Sequence, residues 1–62
     1  MGFKEMREKA NLRQTEVARV LGVSQGAVAN WEAGLNNPTA DKLIKMATLY
    51  RCTVDELLKG SK

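Results

Sequence analysis

Few side chains in this chain could carry out covalent chemistry. The 62 residues contain no histidine and one cysteine, Cys52. A Cys–His or Ser–His nucleophilic pair is therefore excluded, and so is a zinc site built from cysteine and histidine. No glycine-rich phosphate loop is present. We expect no catalytic residue, no metal, no cofactor and no small-molecule ligand, and we interpret Cys52 as a small apolar residue of the core.

The polar side chains that could recognise a partner are amides. Gln25 and Asn30 fall on the outer face of a predicted helix, Gln25–Ala33, with the small residues Gly26 and Ala29 between them. An amide can donate one hydrogen bond and accept another at the same time. An exposed helix with this pattern is suited to recognition and not to catalysis.

Residues 14–34 predict the two short helices that position these amides. Small or apolar residues line one side of each helix: Val17, Ala18 and Leu21 in the first, Val28 and Trp31 in the second. Gly22 lies between them, where a residue without Cβ can turn the chain sharply. Ser24 precedes the second helix as its cap. This arrangement is the sequence form of a helix-turn-helix, whose second helix enters the major groove of DNA.

The segment resembles the helix-turn-helix of the phage Cro and repressor family, the XRE type. The matching residues are Gln14, Ala18, Gly22 and the ending Trp31-Glu32-Ala33-Gly34. The similarity extends to the last two helices and covers nearly the whole chain. It implies a transcriptional regulator that binds double-stranded DNA in a sequence-specific way, of the repressor kind, and not an enzyme.

The resemblance also implies roles for individual residues. Base readout falls on Gln25, Gly26, Ala29 and Asn30, since glutamine and asparagine match the N6 and N7 edge of adenine. Phosphate contacts fall on Gln14, Ser24, Arg13 and Asn37. Arg7 and Glu32 match positions that pair behind the recognition helix and fix its angle.

Three departures from the family pattern predict modest affinity. Arg13 stands where Ser or Thr usually caps the second helix, so that cap should be weaker. The loop Leu35–Asn37 carries only amides where relatives often place a cation. Arg51 replaces the common glycine after the fourth helix, which implies a strained or an altered turn.

The whole chain predicts one all-α domain, residues 1–62, with the lambda-repressor-like fold of five helices. The first helix should run from Phe3 to Ala10, the second from Gln14 to Leu21, and the fourth should begin after Thr39. The last helix should follow Thr53, with Glu56 completing a capping box. No strand is predicted.

Composition agrees with a globular domain that binds a polyanion. The net charge is +3, with +2 in residues 1–13, −1 in residues 14–34 and +2 in residues 35–51. The predicted reading segment is thus not basic, and its cations flank it. There is no apolar run of the roughly 20 residues that a membrane helix needs, and no apolar stretch like that of a signal peptide at the start of the sequence. We expect a cytoplasmic protein, bacterial or phage-encoded.

Two further expectations concern partners. One recognition helix reads few bases, so we expect a weak homodimer on a pseudo-palindromic operator, with its contact at Ile44, Leu49 and Leu58. The alternative is a helical protein-interaction module on the same fold, antitoxin-like or an adaptor, because a fold alone does not determine function.

Overall fold

The structure, a computed structural model, describes residues 2–58. Its helices are α1 (Gly2–Lys9), α2 (Gln14–Leu21), α3 (Gln25–Ala33), α4 (Ala40–Tyr50) and α5 (Val54–Leu58). No strand occurs in this part of the chain, and none of these helices is long and apolar enough to cross a membrane. The predicted all-helical fold of five helices is confirmed, with α1 beginning and ending one residue earlier than expected.

One small core holds the helices together. Its fully buried side chains come from four different helices: Val17, Val28, Met46 and Leu57. Trp31 is also buried, as a core residue, and Phe3 and Met6 of α1 pack against the cluster from outside. Because each helix contributes to the same core, burial of apolar surface fixes how α2 and α3 lie relative to each other.

The turn between α2 and α3 has the geometry that its residues predict. Gly22 is in the left-handed conformation with φ 73°, and the next N–H, of Val23, donates to the Ala18 carbonyl at 3.0 Å. Ser24 caps α3, since its Oγ accepts from the Ala27 N–H at 3.1 Å. Ala18 is buried where the two helices meet. The turn is therefore closed by backbone hydrogen bonds at the end of one helix and by a side chain at the start of the next.

The α2 cap lacks a side-chain hydrogen bond at Arg13, as the weaker cap expected there implies. The Arg13 side chain does not accept a hydrogen bond, because a guanidinium has no acceptor atom. Glu16, three residues later, compensates: its Oε1 accepts from the Arg13 N–H at 2.8 Å. The cap is thus one half of a capping box, supplied by the acidic residue in the first turn.

The α4–α5 connection contains both a strained residue and a complete cap. Arg51 has φ 57° and ψ 48°, so the chain makes the left-handed turn with an arginine in it. Thr53 Oγ1 then accepts from the Glu56 N–H at 3.0 Å, and Glu56 Oε1 accepts from the Thr53 N–H at 2.8 Å. The predicted capping box is confirmed.

Cys52 is half-buried against the core, and burial raises the pKa of its thiol.

Candidate nucleic-acid interface

The outer face of α3 is open along its first half. Gln25 and Gly26 are exposed, while Ala29 and Asn30, about one turn further on, are half-buried. A Cβ added at Gly26 would have only Ser24 Oγ near it, at 3.8 Å. The side chains on this part of α3 are uncharged and Gly26 has none, so a partner could approach the helix backbone closely there.

Gln25 is held at the start of α3 by a side chain from α2. Its Nε2 donates to Gln14 Oε1 at 3.2 Å. Both glutamines stand at the first position of their helices, so the contact joins the two N-termini. The exposed amide is therefore oriented before any partner binds, which reduces the side-chain entropy lost on binding.

Behind these amides lies an ion pair. Arg7 Nε donates to Glu32 Oε2 at 2.6 Å and Arg7 Nη2 donates to Glu32 Oε1 at 3.1 Å, a bidentate arrangement. The two side chains are 11% and 6% exposed. The hydrogen bonds to Glu32 raise the pKa of Arg7 further above its usual range. The structure thus brings together the two residues that the resemblance paired.

The ion pair connects three parts of the chain. Arg7 Nη1 also donates to the Leu12 carbonyl at 2.9 Å, and Gln14 Nε2 donates to Glu32 Oε1 at 2.9 Å. Arg7 therefore links α1 to α3 and to the loop before α2. A buried pair adds little net stability, but it defines orientation because both charges need their partners. We infer that it holds α3 at a fixed angle to α1 and α2.

Three of the four predicted phosphate contacts surround the N-termini of α2 and α3. Arg13 and Ser24 are the N-cap residues of these helices and are exposed, and Gln14 follows Arg13. Their backbone N–H groups lie at the positive ends of the two helices, which attract anions. Asn37 is exposed but follows the opposite end of α3, so the structure does not bring it to this group.

Sequence reasoning missed the internal role of Gln14. It was assigned only an external contact, yet its amide joins Glu32 to Gln25. A glutamine opening each of two consecutive helices is the one signal that could have suggested the link. The Leu12 carbonyl, which accepts from Arg7, carries no sequence signal, because any residue has a carbonyl there.

The residues expected at a dimer contact differ in exposure. Ile44 is 59% exposed and Leu58 is 57% exposed, whereas Leu49 is half-buried against the core. Leu58 lines a cavity beside the start of α1, and Leu49 lines another beside its end. Val20 and Leu35 are also exposed apolar residues, and neither belongs to the expected dimer contact.

Comparison with known proteins agrees with this architecture. The helix-turn-helix family matches residues 3–57. The chain is 33% identical over 58 residues, 94% of its length, to repressor protein C2 of Salmonella phage P22, and covers 27% of that protein. It is 34% identical over 60 residues, 97% of its length, to the transcriptional activator BcrR of Enterococcus faecalis, and covers 29% of it.

A third relative is the transcriptional regulator ImmR of Bacillus subtilis. The identity is 36% over 56 residues, which is 90% of this chain and 44% of that protein. The chain therefore spans less than half the length of each of these three curated relatives. No solved structure matches it significantly.

Proposed function

The chain belongs to the helix-turn-helix family, and we propose that it binds operator DNA and regulates transcription. Within this family its sequence resembles the phage Cro and repressor type, and the proposal rests on this membership. The names of its relatives describe regulators and not enzymes. Action on bacterial or phage DNA would take place in the cytoplasm.

The exposed first half of α3 is the observation that carries the proposal. The nine residues of α3 span about 13 Å at about 1.5 Å per residue, comparable with the roughly 12 Å width of the major groove. Gln25 is the first residue of this helix, and its exposed amide is oriented by Gln14. With α3 in the groove, Gln25 and Asn30 would read base edges, while Gly26 and Ala29 would allow close approach or contact a thymine methyl.

The phosphate contacts follow from hydrogen-bond donors that the fold leaves unused. Ser24 Oγ accepts from a backbone N–H, so its own O–H proton is free to donate. Gln14 Nε2 has a second N–H besides the one that Glu32 accepts. With Arg13 and the two helix N-termini, these donors would hold the backbone on either side of α3. Asn37 would reach a phosphate further along.

Salt dependence and site selection test the proposal together. Duplexes with random central sequence are presented to the protein, and bound molecules are sequenced. If each protomer of a dimer releases ions from about three phosphates, the logarithm of Kd for the selected site should rise with the logarithm of the salt concentration. The expected slope is about 5 to 6. Failure to select any site, with binding insensitive to salt, would overturn the proposal and favour the protein-interaction module.

A homodimer on an operator with inverted repeats completes the proposal. Two copies of α3 would then enter successive major grooves roughly 34 Å apart. The exposure of Ile44 and Leu58 supports a contact formed by α4 and α5. Leu49 is half-buried and would contribute less. A contact built on so few exposed apolar side chains would be weak without DNA.

A further inference from the structure

A cavity of about 670 Å³ opens between the start of α1, the end of α3 and the end of α5. Its apolar lining includes Phe3, which is half-buried, Trp31, which is buried, and Leu58, which is exposed. Small-molecule sites have volumes of roughly 300–1,000 Å³ and are lined mainly by apolar and aromatic side chains. The cavity is separate from the proposed DNA face, since neither Gln25 nor Asn30 lines it.

Acidic residues are concentrated at this cavity. The chain has 10 lysines and arginines and 7 aspartates and glutamates. Three of these acids, Glu5, Glu8 and Glu32, line the cavity, whereas Lys4 is the one lysine or arginine among the lining residues. A protein of net charge +3 thus surrounds this space mostly with negative charge. Because a cleft lined by one sign of charge concentrates the opposite sign, the lining favours a cationic occupant.

The three carboxylates differ in how their charges are already used. Glu32 is bonded to Arg7, so its charge is largely balanced. Glu5 also has an interaction partner. Glu8 is exposed and makes no ion pair or side-chain hydrogen bond within residues 2–58. We therefore expect Glu8 to have the strongest effect on a bound cation.

The end of α3 is a second source of negative potential. This helix has nine residues and no basic residue in its last turn, and Trp31–Gly34 line the cavity. The C-terminal end of a helix carries a partial negative charge, which stabilises cations. The start of α1 carries the opposite partial charge, but Glu5 in its first turn offsets it.

The aromatic lining suits the same kind of occupant. A cation close to the face of an aromatic ring is attracted by the ring, and Trp31 and Phe3 supply two rings. We propose that this cavity binds an organic cation with a bulky apolar body. No short motif predicts such a ligand, and we expected none from the sequence, because α1, α3 and α5 meet at this cavity only in the folded chain. The ligand would lie at the opposite end of α3 from Gln25.

Tetraphenylphosphonium, a cation with four phenyl groups, is the probe, and tetraphenylborate, an anion of the same shape, is its control. Trp31 is the single tryptophan of the chain, so its fluorescence reports binding at the cavity. We expect tetraphenylphosphonium to change this fluorescence saturably and with a lower Kd than tetraphenylborate, although the protein is positively charged overall. No saturable change, or equal or tighter binding of the borate, would overturn the proposal.

Two substitutions of exposed α1 residues shift the charge of the site in opposite directions. Glu8→Gln removes a carboxylate and should raise the Kd of tetraphenylphosphonium about two- to fivefold, the effect of an exposed charge pair. Lys4→Gln removes the lining ammonium and should lower the Kd by a similar factor. Asp41→Asn is the matched control, because Asp41 is an exposed acid that does not line the cavity. It should leave the Kd unchanged.

The substituted side chains are exposed, so the variants should fold, which circular dichroism verifies. Ala33→Lys is a further check, since it brings an ammonium to the cavity from the exposed last residue of α3. It should weaken tetraphenylphosphonium more than Glu8→Gln does. The same Kd in Glu8→Gln, Lys4→Gln and Asp41→Asn would refute a site selective for cations. These titrations contain no DNA, so their outcome is independent of the proposed function.

Discussion

Gln25 and Asn30 differ in how their side chains are held. Gln25 is exposed and bonded to Gln14, whereas no side-chain hydrogen bond fixes Asn30 within residues 2–58, and it is half-buried. We expect Gln25→Ala to weaken specific binding by roughly 1–3 kcal/mol and to relax preference at one or two base pairs. Asn30→Ala should act in the same direction on different base pairs.

Both variants are compared on the selected operator and on random duplex, with folding checked by circular dichroism. Loss on the operator alone indicates base readout. Equal losses on both duplexes would mean that these side chains contact only the sugar–phosphate backbone.

Arg51 carries backbone strain that can be removed. Its φ of 57° lies in the left-handed region, where a residue with Cβ is disfavoured by roughly 1–2 kcal/mol. Glycine avoids this clash but loses more entropy on folding, so Arg51→Gly should raise the free energy of unfolding by about 0.5–1 kcal/mol. Urea denaturation measures the change.

Asn11 supplies the matched control, because its φ is 61° and asparagine tolerates this conformation better than arginine does. Asn11→Gly should change stability less than Arg51→Gly. Equal gains at both positions would show that side-chain type does not set the strain.

The helices could be predicted from local sequence because their ends are chemically marked. Gly22, Ser24 and the Thr53–Glu56 box each act on hydrogen bonds within a few residues, so spacing alone identifies them. The expected weakness of the α2 cap is borne out, since the Arg13 side chain accepts no hydrogen bond, but the compensating carboxylate of Glu16 was overlooked.

The candidate site was harder to predict, because its geometry depends on how helices pack. Gln14 and Gln25 are 11 residues apart, and Arg7 and Glu32 are 25 apart. Which atoms meet depends on the angle between helices, which the shared core sets and no short pattern encodes. The resemblance located Arg7 and Glu32, but the direction of each hydrogen bond became visible only in the structure.

Tyr50 shows how packing of α4 against its neighbours affects a titrating group. Its hydroxyl is buried and, within residues 2–58, has no hydrogen-bond partner. Burial raises its pKa to about 12 from an ordinary value of 10.0, with a smaller contribution from the Glu32 carboxylate. The unfolded chain therefore loses this proton at lower pH than the folded protein does.

The consequence is a loss of stability in alkali. Below pH 10 the contribution of Tyr50 is constant, and between pH 10 and 12 the free energy of unfolding should fall by about 1.4 kcal/mol per pH unit. Tyr50→Phe should abolish this part of the decline and stabilise the protein by about 1 kcal/mol at pH 7, since a buried unbonded hydroxyl is removed. Parallel alkaline slopes in the two proteins would contradict this account.

The net positive charge of the molecule lies outside α3, the helix proposed to read DNA. The net charge is +3, but α3 contains no lysine or arginine, and its one acid, Glu32, is paired with Arg7. In the proposed complex, attraction to phosphates would therefore come from cations on other elements, while α3 would supply hydrogen bonds. Long-range attraction and sequence discrimination should respond to different substitutions, the first strongly dependent on salt.

The apolar side chains left exposed on α4 and α5 lead to the final prediction, which concerns assembly on DNA. In a two-fold contact the same patch faces itself, so one substitution places two like charges against each other. Leu58→Glu and Ile44→Glu should therefore abolish cooperative binding to a full operator and leave binding to a half-site nearly unchanged. Val20→Glu, which changes an equally exposed residue on α2, is the control and should keep cooperativity.

Stoichiometry on the selected operator should be two protomers per site, measured by titration at DNA concentrations well above Kd. Sedimentation of the free protein can show a monomer, because the proposed contact would be small. One protomer on a full-strength site, or selected sites without an inverted repeat, would contradict the dimer.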